Sequence, residues 1–310
     1  MKTYKKSLLL SSMLVGALAL AGCSGEKEAG AKEDKQDEFI IAYLPQENSE
    51  QKAKVDKAFE EDLEKILGME VTSYQANSYN AAIEAMKNDK ADLALFGAFS
   101  YIVASERAGA EALAGIKTDT SLPMSVFITA SDSDIESLED LKGKTIGFAD
   151  PVSTSGHLMP KSYLIESLGL TLEEVEKEGK FFKSINFAGG HDKAVIGVTN
   201  KQYDVATVSP GVLKMMEKNG VIKKEDYKII EEVPTIEVGS GGAYAIRDNH
   251  SEETKNDVKE FLLTYDDPTY LEALTGSKDT KLVEVQDSDF DEFRKVAESL
   301  NLSPEELLAH

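Results

Sequence analysis

Cysteine is almost absent from this chain of 310 residues, with a single thiol at Cys23. One thiol excludes an intramolecular disulfide and a cysteine-based zinc site. Histidine is scarce as well. His157, His191, His250 and His310 are scattered and leave little material for a His-rich metal site. Basic side chains are outnumbered, 34 Lys and Arg against 56 Asp and Glu, for a formal net charge of −22. A field of that sign repels nucleic acid and anionic membrane surfaces, so neither is expected as a partner. Long hydrophobic runs are limited to one, residues 8–21, which is too short and wrongly flanked for a stable transmembrane helix. What is present, 41% hydrophobic and 29% charged residues, is ordinary globular composition and argues against global disorder. The length allows two domains of about 150 residues or one large α/β unit.

The apolar run has Lys2, Lys5 and Lys6 before it and reads as a signal peptide over residues 1–22. It ends Leu20-Ala21-Gly22-Cys23, which resembles the lipobox of bacterial lipoproteins. That resemblance implies cleavage before Cys23, thioether lipidation of its sulfur and acylation of the new N-terminus. The alternative is an ordinary secretory signal with a chance cysteine. Two or three acyl chains hold a protein at a membrane stably where one does not. Residues 23–37 are rich in Gly, Ala, Lys, Glu and Asp without apolar periodicity, as in a solvated tether. Removal of the three lysines takes the net charge to −25.

From residue 38 the chain alternates strand and helix. Residues 38–45 (EFIIAYLP) form a short apolar run that reads as a buried strand. An amphipathic helix follows over 49–68, with Val55, Phe59, Leu63, Ile66 and Leu67 on its apolar face, Ser49 as cap and Gly68 as stop. The pattern then predicts strands at 69–76, 91–97, 122–130, 144–150, 181–188 and 204–208. Helices are predicted at 79–88, 98–108, 137–141, 155–168, from 191 onward and at 287–310. In the last, Phe290, Phe293, Val296, Leu300 and Leu307 are the packing positions. Alternation of this kind implies parallel sheets covered on both faces, and such sheets bind ligands where strands lead into helix N-termini. No internal sequence repeat is visible.

The most informative of those loops is Asp150-Pro151-Val152-Ser153-Thr154-Ser155-Gly156-His157. Pro151 stops the strand, and Gly156 lets a ligand approach the backbone. Ser153, Thr154 and Ser155 supply three hydroxyls beside the unpaired N–H groups of a helix start, which suits an anion. Plain N-capping by a Ser/Thr run explains the same residues. There is no Walker lysine, so the loop is not a P-loop. In Gly189-Gly190-His191-Asp192, His191 can donate to an oxyanion and Asp192 can accept from a protonated one, or Asp192 caps the helix. Tyr79 stands at a third strand-to-helix loop, where its hydroxyl meets a ligand or its ring packs. Ser100 stands at a fourth, where it caps or contacts a ligand. His157 is one position into the anion-binding helix and reads as a neighbour of the cleft.

Between Phe39 and Tyr265 the chain resembles the phosphate, phosphite and phosphonate substrate-binding proteins of ABC importers. The matching segments are Ser78-Tyr79-Asn80-Ala81-Ala82-Ile83, Ala91-Asp92-Leu93-Ala94-Leu95-Phe96-Gly97, Leu138-Glu139-Asp140-Leu141-Lys142-Gly143-Lys144, the 150–157 loop with Leu158-Met159-Pro160, Gly190-His191-Asp192 and Asn200-Lys201-Gln202-Tyr203-Asp204-Val205-Ala206-Thr207. Each is modestly specific; their order and spacing together are strongly so. The resemblance implies an α/β, type II periplasmic-binding fold of two lobes joined by a two-segment hinge, with mainly parallel sheets. Lobe one is expected at 38–123 and 240–310, and lobe two at 124–239. It also implies a monomer without cofactor or metal that hands its ligand to a permease and its ATPase. Ser153, Thr154, Ser155 and His191 map onto the residues that hold the phosphonate group, and Tyr79 onto a cleft tyrosine.

Family members that bind aminoalkyl phosphonates carry two acids for the ligand ammonium. Here Gly211 stands at the first position, and Val238-Gly239-Ser240-Gly241-Gly242 offers no acid at the second. Met124 and Phe96 replace an aromatic near the first hinge and a cleft tyrosine. These departures favour phosphite, methylphosphonate or phosphate. The acidic surface does not forbid an anion, because at physiological salt charges beyond about 8 Å are screened. Two other classes are an extracytoplasmic serine hydrolase, for which no G-x-S-x-G or S-x-x-K pattern is present at the serine loop, and a signalling or adhesion lipoprotein on the same fold.

Overall fold

The computed structural model describes residues 38–45, 50–117, 123–235 and 241–303. The expected signal peptide, Cys23, the tether and Leu307 lie outside the described residues. The chain first builds β1 (Glu38–Tyr43), α1 (Glu50–Leu67), β2 (Glu70–Gln75), α2 (Tyr79–Lys87), β3 (Leu93–Gly97), α3 (Ala98–Ala108) and β4 (Ala110–Lys117). It then crosses to β5 (Ser125–Ala130), β6 (Thr145–Phe148), α4 (Met159–Leu168), α5 (Leu172–Glu176), β7 (Ser184–Phe187), α6 (His191–Thr199), β8 (Val205–Val208), α7 (Pro210–Lys218) and β9 (Tyr227–Val233). It returns as β10 (Gly242–Arg247), α8 (Glu252–Thr264), α9 (Pro268–Thr275), β11 (Lys281–Glu284) and α10 (Asp291–Ser299).

Two sheets result, ordered β11-β4-β10-β3-β1-β2 and β7-β6-β8-β5-β9. Within each, the strands of one half keep the order second, first, third, fourth, and a strand continuing from the other half is inserted before the fourth. The inserted strands β10 and β5 run antiparallel to both neighbours. The sheets are therefore mixed, which corrects the expectation of mainly parallel ones. The reason is the crossing itself, since a strand that enters from the other lobe arrives in the opposite sense. At the second-lobe end of the crossings, Met124 N–H donates to the Val233 carbonyl at 2.8 Å. Residues 118–122 and 236–240 lie outside the described residues.

Helix α1 buries Phe59 and Leu63 in the core of the first lobe, where Phe59 stacks on Tyr270 with ring centroids 4.3 Å apart. Ile66, expected on that face, is 52% exposed. Phe290 and Phe293 are fully buried, the latter edge-on to Phe99 of α3, so the C-terminal segment packs on the first lobe. The predicted helix over 155–168 begins instead as a turn of π-helix, Thr154–Leu158, which passes into α4. The segment at 137–141 shortens to a 3₁₀ turn, Glu139–Leu141.

Candidate functional site

The π turn and four helix N-termini converge between the sheets. The first-lobe helices α2 and α3 begin at Tyr79 and Ala98, and the second-lobe helices α6 and α7 begin at His191 and Pro210. Helix starts leave N–H groups without partners, and here one lobe supplies partners for the other. Asp150 Oδ2 accepts from Tyr79 N–H at 3.3 Å, and Thr154 Oγ1 accepts from Phe99 N–H at 3.0 Å. Thr154 thus reaches across the cleft while its own hydroxyl hydrogen stays available for a ligand. Ser100 donates to the Gly97 carbonyl at 3.1 Å, and its hydroxyl lies beside the same junction.

Ser153 is the hub. Its Oγ accepts from Gly156 N–H at 3.1 Å and lies 3.2 Å from His191 Nε2. The other ring nitrogen, His191 Nδ1, accepts from Ser209 N–H at 3.2 Å. A backbone N–H only donates, so Nδ1 carries no proton and the hydrogen sits on Nε2, aimed at Ser153. Burial pushes the His191 imidazolium down to about 4, so the ring is neutral near pH 7. With both lone pairs of Ser153 engaged, its hydroxyl hydrogen is left for Tyr79, whose phenol it adjoins, or for a ligand. Gly156 also has a packing reason. A Cβ there would meet Ala149 Cβ at 2.4 Å, and His191 Cε1 and Ser153 Oγ at 2.8 Å each, so this glycine makes room for the hub.

The loop is held from below by contacts that sequence reasoning missed. Thr207 donates to the Gly156 carbonyl at 2.8 Å, and Ser125 donates to the Ser155 carbonyl at 2.5 Å. Ser155 is half-buried beside them. His157 turns away from the hub. Its Nδ1 lies 2.7 Å from the Pro151 carbonyl, and its ring packs on Phe148 and Phe187. Asp192 occupies the second position of α6. The cap residue is Gly190, without a side-chain hydrogen bond, and the Oδ1 of Asp192 is buried with no hydrogen-bond partner. A cavity of about 500 Å³ opens beside Tyr79, His191 and Asp192 and extends along α7 and α9. The hub offers neutral O–H and N–H donors, and among the described residues no Arg or Lys takes part in its hydrogen bonds.

Two α/β lobes with this strand order, linked by paired crossings around a donor-lined cleft, define a type II periplasmic-binding fold. The chain belongs to the family described as "ABC transporter, phosphonate, periplasmic substrate-binding protein", which its residues 41–290 match. It is 31% identical over 267 residues to the phosphonates-binding periplasmic protein of Escherichia coli K12, covering 81% of this chain and 76% of that protein. It is 29% identical over 301 residues to a phosphate-import protein of Mycolicibacterium smegmatis, covering 91% of this chain and 92% of that protein. Among solved structures, a binding protein of an ABC phosphonate transporter from Pseudomonas aeruginosa superposes with a TM-score of 0.73 at 27% identity, covering 88% and 93% of the two chains. These relatives are binding and import proteins rather than enzymes.

Proposed function

We propose that this protein captures a small phosphorus oxyanion in the interlobe cleft and delivers it to an ABC permease with its ATPase, while Cys23 anchors it by lipid outside the cytoplasm. Ser153, Thr154, Ser155, Tyr79 and His191 hold the tetrahedral head, Ser100 lines the junction, and Asp192 takes the P–OH hydrogen of a monoprotonated ligand. The observation that carries the reading is the fixed tautomer of His191. With Nδ1 committed to Ser209, the imidazole adds a neutral Nε2–H donor to a cluster of hydroxyls. Hydrogen bonds to a charged partner contribute roughly 1.5–3 kcal/mol each, so a few neutral donors suffice without a salt bridge.

The relatives carry different ligands in their names, phosphonates and phosphate, so the choice rests on this chain's own residues. With Gly211 where an ammonium-pairing acid would stand, phosphite, methylphosphonate and phosphate are the preferred ligands. Titration calorimetry of the protein with these three and with aminoethylphosphonate tests this. At least one of the three should bind far more tightly than the amine; tight binding of aminoethylphosphonate alone would overturn the ligand assignment.

A further inference from the structure

The lobes also meet where α7 of the second faces the end of α9 of the first. A Cβ on Gly211 would lie 2.2 Å from the Thr275 carbonyl oxygen and 2.8 Å from its carbon. Both atoms are backbone, so no side chain can rotate aside. From the other lobe, a Cβ on Gly276 would lie 2.9 Å from the Gly211 oxygen. Gly276 has φ +71° and ends α9 in the left-handed region, which alone favours glycine. Gly211 has no such need. It sits in the first turn of α7 and is not among the positive-φ residues, so its own backbone does not call for glycine and the opposing backbone does. Lys218 and Glu272 pair across the same junction at 3.0 Å.

We propose that Gly211 and Gly276 are positioning residues whose backbone-to-backbone contact sets how far the lobes close. This rests on the cleft reading above. Chain order joins the lobes between β4 and β5 and between β9 and β10, so contacts elsewhere between them are non-covalent and can act as stops that fix the closed angle. That angle fixes the separation of Tyr79 on one lobe from Ser153 and His191 on the other. A side chain at 211 props the lobes apart and reduces the fraction of molecules in which both sets of donors reach one ligand. Apparent affinity falls by that fraction whatever the ligand.

The test is Gly211→Ala in the full chain. Alanine is the better helix former, so α7 itself is not weakened and the melting temperature should hold. Calorimetry should show the dissociation constants for phosphite, phosphate and methylphosphonate each rising at least about tenfold, by a similar factor. Small-angle scattering should show the ligand-free variant with a larger radius of gyration than the parent and less compaction on adding phosphate. Lys218→Glu should weaken binding in the same uniform way, and Lys218→Glu with Glu272→Lys should restore it. Unchanged affinity and radius, or loss confined to one anion, would overturn the proposal. If the parent binds none of the three anions, the cleft reading has failed. Closure is then judged by ligand-free scattering, where a larger radius for Gly211→Ala supports it and an equal one refutes it.

Discussion

Each lobe sets a histidine close to an aspartate near helix and strand ends, and the two arrangements have opposite chemistry. In the first lobe Asp92 is 1% exposed and accepts from Ile40 N–H at 2.7 Å and from His250 Nε2 at 2.9 Å. It also accepts from Arg247, whose guanidinium bridges to Asp89 as well. Every strong group there has its partner inside the protein. In the second lobe His191 and Ser153 are neutral donors, and Asp192 keeps a buried oxygen without a partner. A buried charge cluster that satisfies itself braces a fold and has nothing left for a ligand. A cluster of neutral donors at helix starts retains hydrogen-bonding capacity that an anion can use.

The comparison predicts which lobe yields stability changes and which yields binding changes. The largest effect is expected from Asp92→Ala. Removing that carboxylate leaves the buried Arg247 guanidinium without its main counter-charge, which costs about 3–5 kcal/mol. Denaturant unfolding should show the loss, and anion affinity measured on the folded fraction should be unchanged. A variant as stable as the parent would show that the ion cluster contributes nothing.

The next effect is pH-dependent and belongs to His191. Its ordinary value of 6.5 applies in the unfolded chain, and burial lowers it to about 4 in the fold. Between those values the unfolded chain binds the extra proton, so stability rises with pH. The contribution is fully present above pH 6.5 and is lost as pH falls toward about 4. At about 1.4 kcal/mol per unit, the loss reaches up to about 3 kcal/mol. Protonation at Nδ1 would also break the Ser209 N–H bond. Thermal melts of the parent and of His191→Gln should diverge across that range, with the variant flatter. Parallel profiles would remove His191 from the account.

Much of this was legible in the sequence. Strand–helix alternation through residue 208 follows from apolar periodicity, and the serine loop and Gly-Gly-His turn stand out by composition. Strand β4 does not. Its sequence, AEALAGIK, is written in helix formers, and pairing with β10 on one side and β11 on the other overrides that preference. The contacts that tune the site are also hidden because they are non-local. Ser209 fixes the tautomer of a histidine 18 residues earlier, and Asp150 caps a helix 71 residues before it. Gly211 reads as a lost acid in the sequence, while the fold gives it a second meaning through the Thr275 backbone.

The smallest effect, and the sharpest test of the difference between the lobes, concerns Asp192. Asp92 is saturated by donors, whereas Asp192 has a buried oxygen with none. If that oxygen takes the P–OH hydrogen of the ligand, affinity should fall as rising pH removes the ligand's last proton, because a dianion would face a carboxylate. Asp192→Asn replaces the acceptor with an amide that also donates, so the fall should flatten or reverse. One charge-assisted hydrogen bond is at stake, so the expected change is about tenfold. Stability should not drop, since no hydrogen-bond partner of that oxygen is stranded by the substitution. Calorimetry with phosphate across the ligand's second ionisation measures both slopes. An equal slope for parent and variant would return Asp192 to the role of a helix-terminal acid that interacts only with the dipole of α6.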